Sequence, residues 1–397
     1  MRVMPRLTTT DKRVIGLLLF IGSLVFSLAL LGQFSYSYAD YQGHVGVALR
    51  LGETGIPDNP HILFNFLIVI LAKALPFLGY IQAGFIVSVL IYLFGAVVVY
   101  IAVRPAVPGY GHRASLTTLG ITGCLLIAAP ISFVTLAQRN LYGGYIAPNA
   151  LHNPTVILLK PFAVLIFAMV VPLLQGVKPL NKWNLFITML LVVLSIFAKP
   201  SYLMCLLPVV VVVSAYRLIR REKVEVGILV VGLIIPTLIL LLVQYFHAFY
   251  VTAFIGDTDV VFAPLAGILT YAPTIGWIIL KFLLSIAFPL CVYLLYYKEA
   301  IKDRVLNLAA LTFGSAAAQM YLLAETGVHA QHGNFWWGAQ VTLFVLFIVA
   351  TRFLLRETAV QRDWRFRVCV AVLALHVICG IIYYVFSLSA TDGSYWF

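Results

Sequence analysis

Acidic residues are scarce in this chain: 14 Asp and Glu stand against 26 Lys and Arg in 397 residues. Charged residues of both signs make up only 10% of the sequence and hydrophobic ones 62%, whereas a soluble domain carries roughly 25% charged residues. That shortage excludes a soluble globular protein. Apolar–polar alternation is missing too, which excludes a transmembrane β-barrel. Cys124, Cys205, Cys291, Cys369 and Cys379 all fall within apolar stretches and lack metal-ligand spacing. They read as small core residues, not as a disulfide framework or a zinc site. No low-complexity segment or internal repeat interrupts the chain, and no soluble domain is marked off.

What the sequence does have is long apolar runs. Crossing hydrocarbon takes about 20 apolar residues per helix. Twelve runs approach that length: 14–34, 61–79, 81–103, 116–137, 154–175, 184–198, 201–218, 225–246, 275–297, 305–323, 338–355 and 368–389. The fold class that follows is an all-α polytopic membrane protein with about 11–12 transmembrane or re-entrant helices. The basic start, first apolar run and Ser37-Tyr38-Ala39 resemble a signal peptide, but the run exceeds the usual 7–15 residues or so. An uncleaved first helix is expected.

Basic residues cluster before the first run and in 217–224, 298–304 and 352–367, and such short flanking loops face the cytoplasm. The loops 33–60, 247–274 and 325–336 then face outward, and with Asp392 they hold half of the 14 acids. No basic stripe with interleaved aromatics lies on a soluble element, so nucleic-acid binding is excluded. The charges set a parity condition. The N-terminus and 352–367 share a side, which requires ten crossings, yet eleven runs lie between them. One run therefore does not cross. The two contenders are 61–79, interrupted by Lys73 and Pro76, and 184–198, cut off by Lys199-Pro200-Ser201. The first choice puts 138–153 outside and 104–115 inside.

Residues able to do chemistry gather in the outward loops. The first holds Asp40, Tyr41, His44, Glu53, Asp58 and His61. Val45, Val47, Ala48 and Leu51 recur there at helical spacing, which predicts a short amphipathic helix lying on the bilayer. Asp40, near its start, is either a helix cap or a general base toward a substrate hydroxyl. The segment 138–155 is rich in hydrogen-bonding side chains, including Arg139, Asn149, His152 and Asn153, and is nearly uncharged. It suits a polyhydroxylated ligand, and Asn153 before Pro154-Thr155 is a plausible N-cap. Lys160 follows one turn later. Lys199 either snorkels or lines a polar cavity and binds an anion such as phosphate. In the late loop, Glu325, His329 and His332 carry a weak zinc alternative. Hydrogen bonding of His332 and Asn334 to a sugar or phosphate, with Trp337 as a stacking wall, is the favoured reading. Asp257 and Asp259 are a weak candidate pair for a divalent cation.

Taken together, Asp40 in the first loop, Pro60-His61-Ile62-Leu63-Phe64, Ala198-Lys199-Pro200-Ser201 and Asn334-Phe335-Trp336-Trp337-Gly338 resemble the GT-C superfamily of integral-membrane glycosyltransferases. His152-Asn153-Pro154-Thr155 with Lys160-Pro161-Phe162 looks like a segment that recurs in bacterial members. The resemblance covers residues 1–220 as the catalytic module plus the late loop, with 221–397 contributing more variable helices. It implies a polyprenyl-phosphate sugar as donor, a glycan or glycolipid as acceptor, and an outward-facing cavity in the cytoplasmic membrane. Many members carry two adjacent acids in the first loop. Here Tyr41 follows Asp40, which disfavours a divalent cation and leaves the base role to Asp40 alone. No other cofactor is implied. Three other readings stand beside this one: a transporter or flippase of a lipid-linked saccharide, a polysaccharide polymerase, and a non-enzymatic envelope subunit. A transporter would keep more polar groups at mid-bilayer.

Overall fold

The computed structural model describes residues 7–35, 39–136, 143–177, 181–247, 259–269, 271–327, 333–359 and 363–389. Apolar runs become helices: α1 (Thr9–Ser35), α2 (Asp40–Thr54), α3 (Leu63–Ala74), α4 (Tyr80–Val103), α5 (His112–Ile127), α6 (Phe133–Leu136), α7 (Pro154–Leu174) and α8 (Lys182–Ala198). There follow α9 (Ser201–Ile219), α10 (Ile235–Phe246), α11 (Ala266–Leu269), α12 (Ile275–Leu295), α13 (Tyr297–Ala300), α14 (Arg304–Leu322), α15 (Asn334–Glu357) and α16 (Trp364–Ser389). A π-helical turn, Ile228–Ile234, leads into α10 just before Pro236. Two short strands, β1 (Val260–Phe262) and β2 (Leu323–Glu325), pair antiparallel with Val261 opposite Ala324. Among the described residues nine helices are long and apolar enough to cross a membrane. The protein is a multi-pass helical membrane protein.

α7 and α15 are apolar and buried on nearly every side, as helices enclosed by other helices must be. α4, α8, α9 and α14 pack around them. Peripheral helices turn large apolar side chains outward, such as Leu24 and Leu28 of α1 and Ile279 and Leu283 of α12, and lipid tails are as apolar as these side chains.

Polar contacts mark the two ends of the bundle. At one end Asp11 of α1 accepts hydrogen bonds from Tyr100, Arg104 and Ser115 at 2.9, 2.8 and 2.7 Å. This is the basic end. At the other end the Asp40 N–H donates to the His152 carbonyl at 3.1 Å. α1 and α4 run antiparallel between the ends, with Phe26 stacked on Tyr92 and Phe34 edge-on to Phe85. α4 thus starts at the Asp40 end, where Tyr80 lies against Gly52 of α2 and Gly84 against Val45 and Ile68. α3 also starts there, because Asn65 Nδ2 donates to the His44 carbonyl at 2.7 Å. The 61–79 run therefore enters and leaves on one side, and it is the run that does not cross. Its 12-residue helix spans only about 18 Å at 1.5 Å per residue. α8 instead runs the length of the bundle, since Lys199 at its far end reaches Thr155 at the start of α7. Arg104 and Arg113 then fall at the basic end and residues 143–153 at the Asp40 end.

The 116–137 run departs from expectation. It is not one helix: α5 stops at Ile127, and Ala128–Ser132 are irregular and buried. Pro130 lacks an N–H and disfavours helical geometry at Ala129. The freed groups find distant partners. Ala129 N–H donates to the His376 carbonyl at 3.0 Å and Ile131 N–H to the Leu284 carbonyl at 3.2 Å. Asn149 Nδ2 donates to the Leu125 and Ala128 carbonyls at 2.8 and 2.9 Å. Irregular backbone at membrane depth persists only when buried in protein like this. The following 143–150 segment is also buried. Lys281 of α12 holds it by donating to the Gly143 and Tyr271 carbonyls at 2.6 and 2.8 Å.

Candidate active site

Asp40 is the first residue of α2, and Ala39 occupies the capping position. The capping role open to Asp40 on sequence grounds is therefore not the one it takes. It lies in the first turn, where the helix dipole favours a carboxylate. Tyr41, Val45 and Ala48 form the buried face of α2, the spacing that an amphipathic helix requires. Tyr41 Oη donates to the Leu151 carbonyl at 3.0 Å. With the Asp40–His152 backbone bond, this splices α2 onto the segment leading into α7.

Asn153 caps α7. Its Oδ1 accepts from Val156 N–H at 3.1 Å and from Thr155 Oγ1 at 2.7 Å. With the oxygen so engaged, Nδ2 faces away from the helix and donates to Asp40 Oδ2 at 2.5 Å. The two halves of one amide thus fix both a helix start and a carboxylate.

Lys199 closes the other side of the site. It follows α8 directly and is only 6% exposed. Its Nζ donates to Thr155 Oγ1 at 3.5 Å and lies 5.4 Å from the centre of the Trp337 ring. The His152 ring is 5.6 Å from Trp337. Burial lowers the Lys199 pKa to about 8, against the carboxylates of Asp40 and Glu325, which raise it. The ammonium is charged at neutral pH. Burial also pushes His44 down to about 4 and lowers His61 and His152, although Asp40 raises His44 and His152. The three histidines are neutral at pH 7 and act as hydrogen-bonding groups, leaving Lys199 as the cation among these residues.

The remaining sequence candidates fall into groups. Asn334, first residue of α15, donates to Glu325 Oε2 at 2.7 Å. Lys160 Nζ donates to Asn149 Oδ1 at 2.9 Å, and Asn149 in turn holds the α5 break. That pair braces the core and is not joined to Asp40. Arg139, His332 and Asp257 lie outside the described residues. Beside the strand pair the Asp259 N–H donates to Thr326 Oγ1 at 2.8 Å, and the Thr326 N–H donates to the Asp259 carbonyl at 2.9 Å. Among the described residues no three His, Cys, Asp or Glu side chains are placed to hold a metal ion. The sequence marks Thr155 only as part of a helix start and Glu325 only as a zinc alternative; the contact of the first with Lys199 and the field of the second on it come from the structure. The one signal for Glu325 is that it is the sole acid of its loop.

Comparison with protein-family models finds no match, and comparison with curated proteins finds none either.

The chemistry open to this arrangement follows from its parts. A carboxylate pinned by one oxygen presents the other to an incoming proton. A buried ammonium, a hydroxyl and the N-terminus of a 21-residue helix offer positive potential to an anion.

Proposed function

We propose that this protein is a membrane glycosyltransferase of the GT-C type. It moves a sugar from a polyprenyl-phosphate donor to a glycan or lipid acceptor at the outer face of the cytoplasmic membrane. The observation that carries this reading is the Asn153–Asp40 hydrogen bond beside the Lys199–Thr155 pair: a held carboxylate near a buried ammonium and a hydroxyl is what a base beside an anion receptor requires.

The acceptor hydroxyl gives its proton to Asp40 as its oxygen bonds to the anomeric carbon. The bond from that carbon to the phosphate oxygen breaks, and its electron pair stays on the phosphate. Lys199, the Thr155 hydroxyl and the first amides of α7 stabilise the charge that develops there. Attack opposite the leaving phosphate inverts the anomeric centre. The prenyl chain lies along apolar helix faces, each buried CH₂ contributing roughly 0.8 kcal/mol. The step as written draws on no cofactor.

The test uses purified protein in liposomes with labelled polyprenyl-phosphate sugars, after mass spectrometry of co-purifying lipids has guided the choice of donor. Asp40→Asn is expected to keep the fold and abolish transfer. Full transfer by that variant removes Asp40 from the mechanism. Movement of intact lipid-linked sugar across the liposome without transfer would favour a flippase.

A further inference from the structure

A second polar cluster lies close to Lys199, built from the start of α3, the residue pair before it and the last turns of α10. Gln244 of α10 donates Nε2 to the Pro60 and Ile196 carbonyls, each at 2.9 Å. It therefore bridges the residue before His61 and the last turn of α8. Both partners are carbonyls that only accept, so the NH₂ must face them. That fixes the amide, and its Oε1 is buried without a hydrogen-bond partner. Asn65 repeats the pattern: Nδ2 donates to the His44 carbonyl at 2.7 Å, and Oδ1 is buried without a partner. His61, one helical turn before Asn65, has its Nδ1 buried in the same condition. Lys199 acts electrostatically on both His61 and His44.

Buried polar atoms without partners are rare in native proteins, and each costs about 1–3 kcal/mol. Two of these are obligate acceptors and the third is an imidazole nitrogen. What satisfies them is a ligand rich in O–H donors. What satisfies Lys199 is an anion. A bare prenyl phosphate supplies the second and not the first.

We propose that Asn65, Gln244 and His61 form a subsite that accepts hydrogen bonds from the hydroxyls of a sugar whose phosphate Lys199 holds. This rests on the donor reading above and extends it from the phosphate to the ring, with specificity set by residues of α3 and α10.

The experiment measures binding of three probes to the full chain in nanodiscs: undecaprenyl phosphate and its mannose and arabinose phosphodiesters. The wild type is expected to prefer at least one sugar-bearing probe. His61→Phe and Gln244→Met should each weaken that probe about fivefold, the worth of one hydrogen bond, and leave undecaprenyl phosphate unchanged. Lys199→Ala should weaken all three. Variants that keep wild-type sugar affinity, or that lose equally for the bare lipid, overturn the subsite. So does a wild type that binds bare and sugar-bearing lipids alike, although the donor reading then survives. If the wild type binds none of the three, the donor reading falls and the subsite with it.

Discussion

Asn153 gives Asp40 the half of its amide that capping α7 leaves over, at 2.5 Å. The consequence is coupling between helix geometry and carboxylate position. Any shift at the start of α7 moves Asp40, and the Thr155 hydroxyl that meets Lys199 moves with it.

That coupling can be taken apart by substitution. Serine is as good a helix cap as asparagine, but its side chain has no amide to donate to Asp40. Asn153→Ser should therefore melt close to the wild type while transfer falls at least about tenfold. Asn153→Ala should lose the same activity and also about 1 kcal/mol of stability. Thermal melting and transfer rates measured together decide the matter. Wild-type transfer by Asn153→Ser would reduce Asn153 to a cap.

The depressed pKa of Lys199 makes donor binding pH-dependent in a defined direction. Burial sets its deprotonation at about 8, and the charged form is the one that attracts phosphate. Affinity should be level below that value and fall as pH rises through it, toward about tenfold per pH unit. Lys199→Arg keeps its charge beyond pH 12 or so, so the decline should vanish even if affinity is lower overall. Titration of polyprenyl phosphate binding from neutral to alkaline pH checks this. A flat wild-type profile removes Lys199 from the phosphate site.

Some of this was legible in the sequence, because the relevant information was local. The Asn153 cap, the helical spacing of Val45 and Ala48 in α2 and the break at Lys199-Pro200-Ser201 each depend on residues within one or two turns, although Val47 and Leu51, read as part of the same face, are only half-buried and Tyr41 completes it instead. The α5 break was not legible. Pro130 sits in a run apolar enough to pass as one helix, and the groups that make a break tolerable there come from His376 and Leu284, more than 150 residues away. Gln244 was hidden for the same reason. Its partners Pro60 and Ile196 are distant in sequence, and nothing near it in the chain marks it as polar for a purpose.

Gly380 is what lets α16 reach that break. A Cβ there would stand 1.8 Å from the Ile127 carbonyl oxygen, and the obstacle is backbone, which cannot rotate aside. Overpacking of this kind costs about 1–3 kcal/mol or more, so Gly380→Ala should lower the melting temperature and the yield of monodisperse protein. Gly314 is the matched control. It lies in α14 with nothing within 4 Å of its added Cβ, so Gly314→Ala should be neutral or stabilise by up to about 1 kcal/mol. Equal melting of the two variants would show that α16 does not seat against α5 as described.

The re-entrant path of α3 makes a prediction about sidedness that hydropathy alone would get wrong. If 61–79 crossed the membrane, Glu53 and Phe77 would lie on opposite faces. In the structure Tyr80 returns to Gly52, so both lie at the Asp40 end, and Tyr110 is at the basic end beside the Arg104–Gly109 contact. Phe77 and Tyr110 are 82% and 92% exposed, accessible enough to carry a probe. Cysteines placed singly at 53, 77 and 110 should react with an impermeant maleimide in sealed vesicles, above the background of the unsubstituted chain. Positions 53 and 77 should label from one face and 110 only from the other. Labelling of 53 together with 110, with 77 reacting only from the opposite face, would mean that α3 crosses as α4 does.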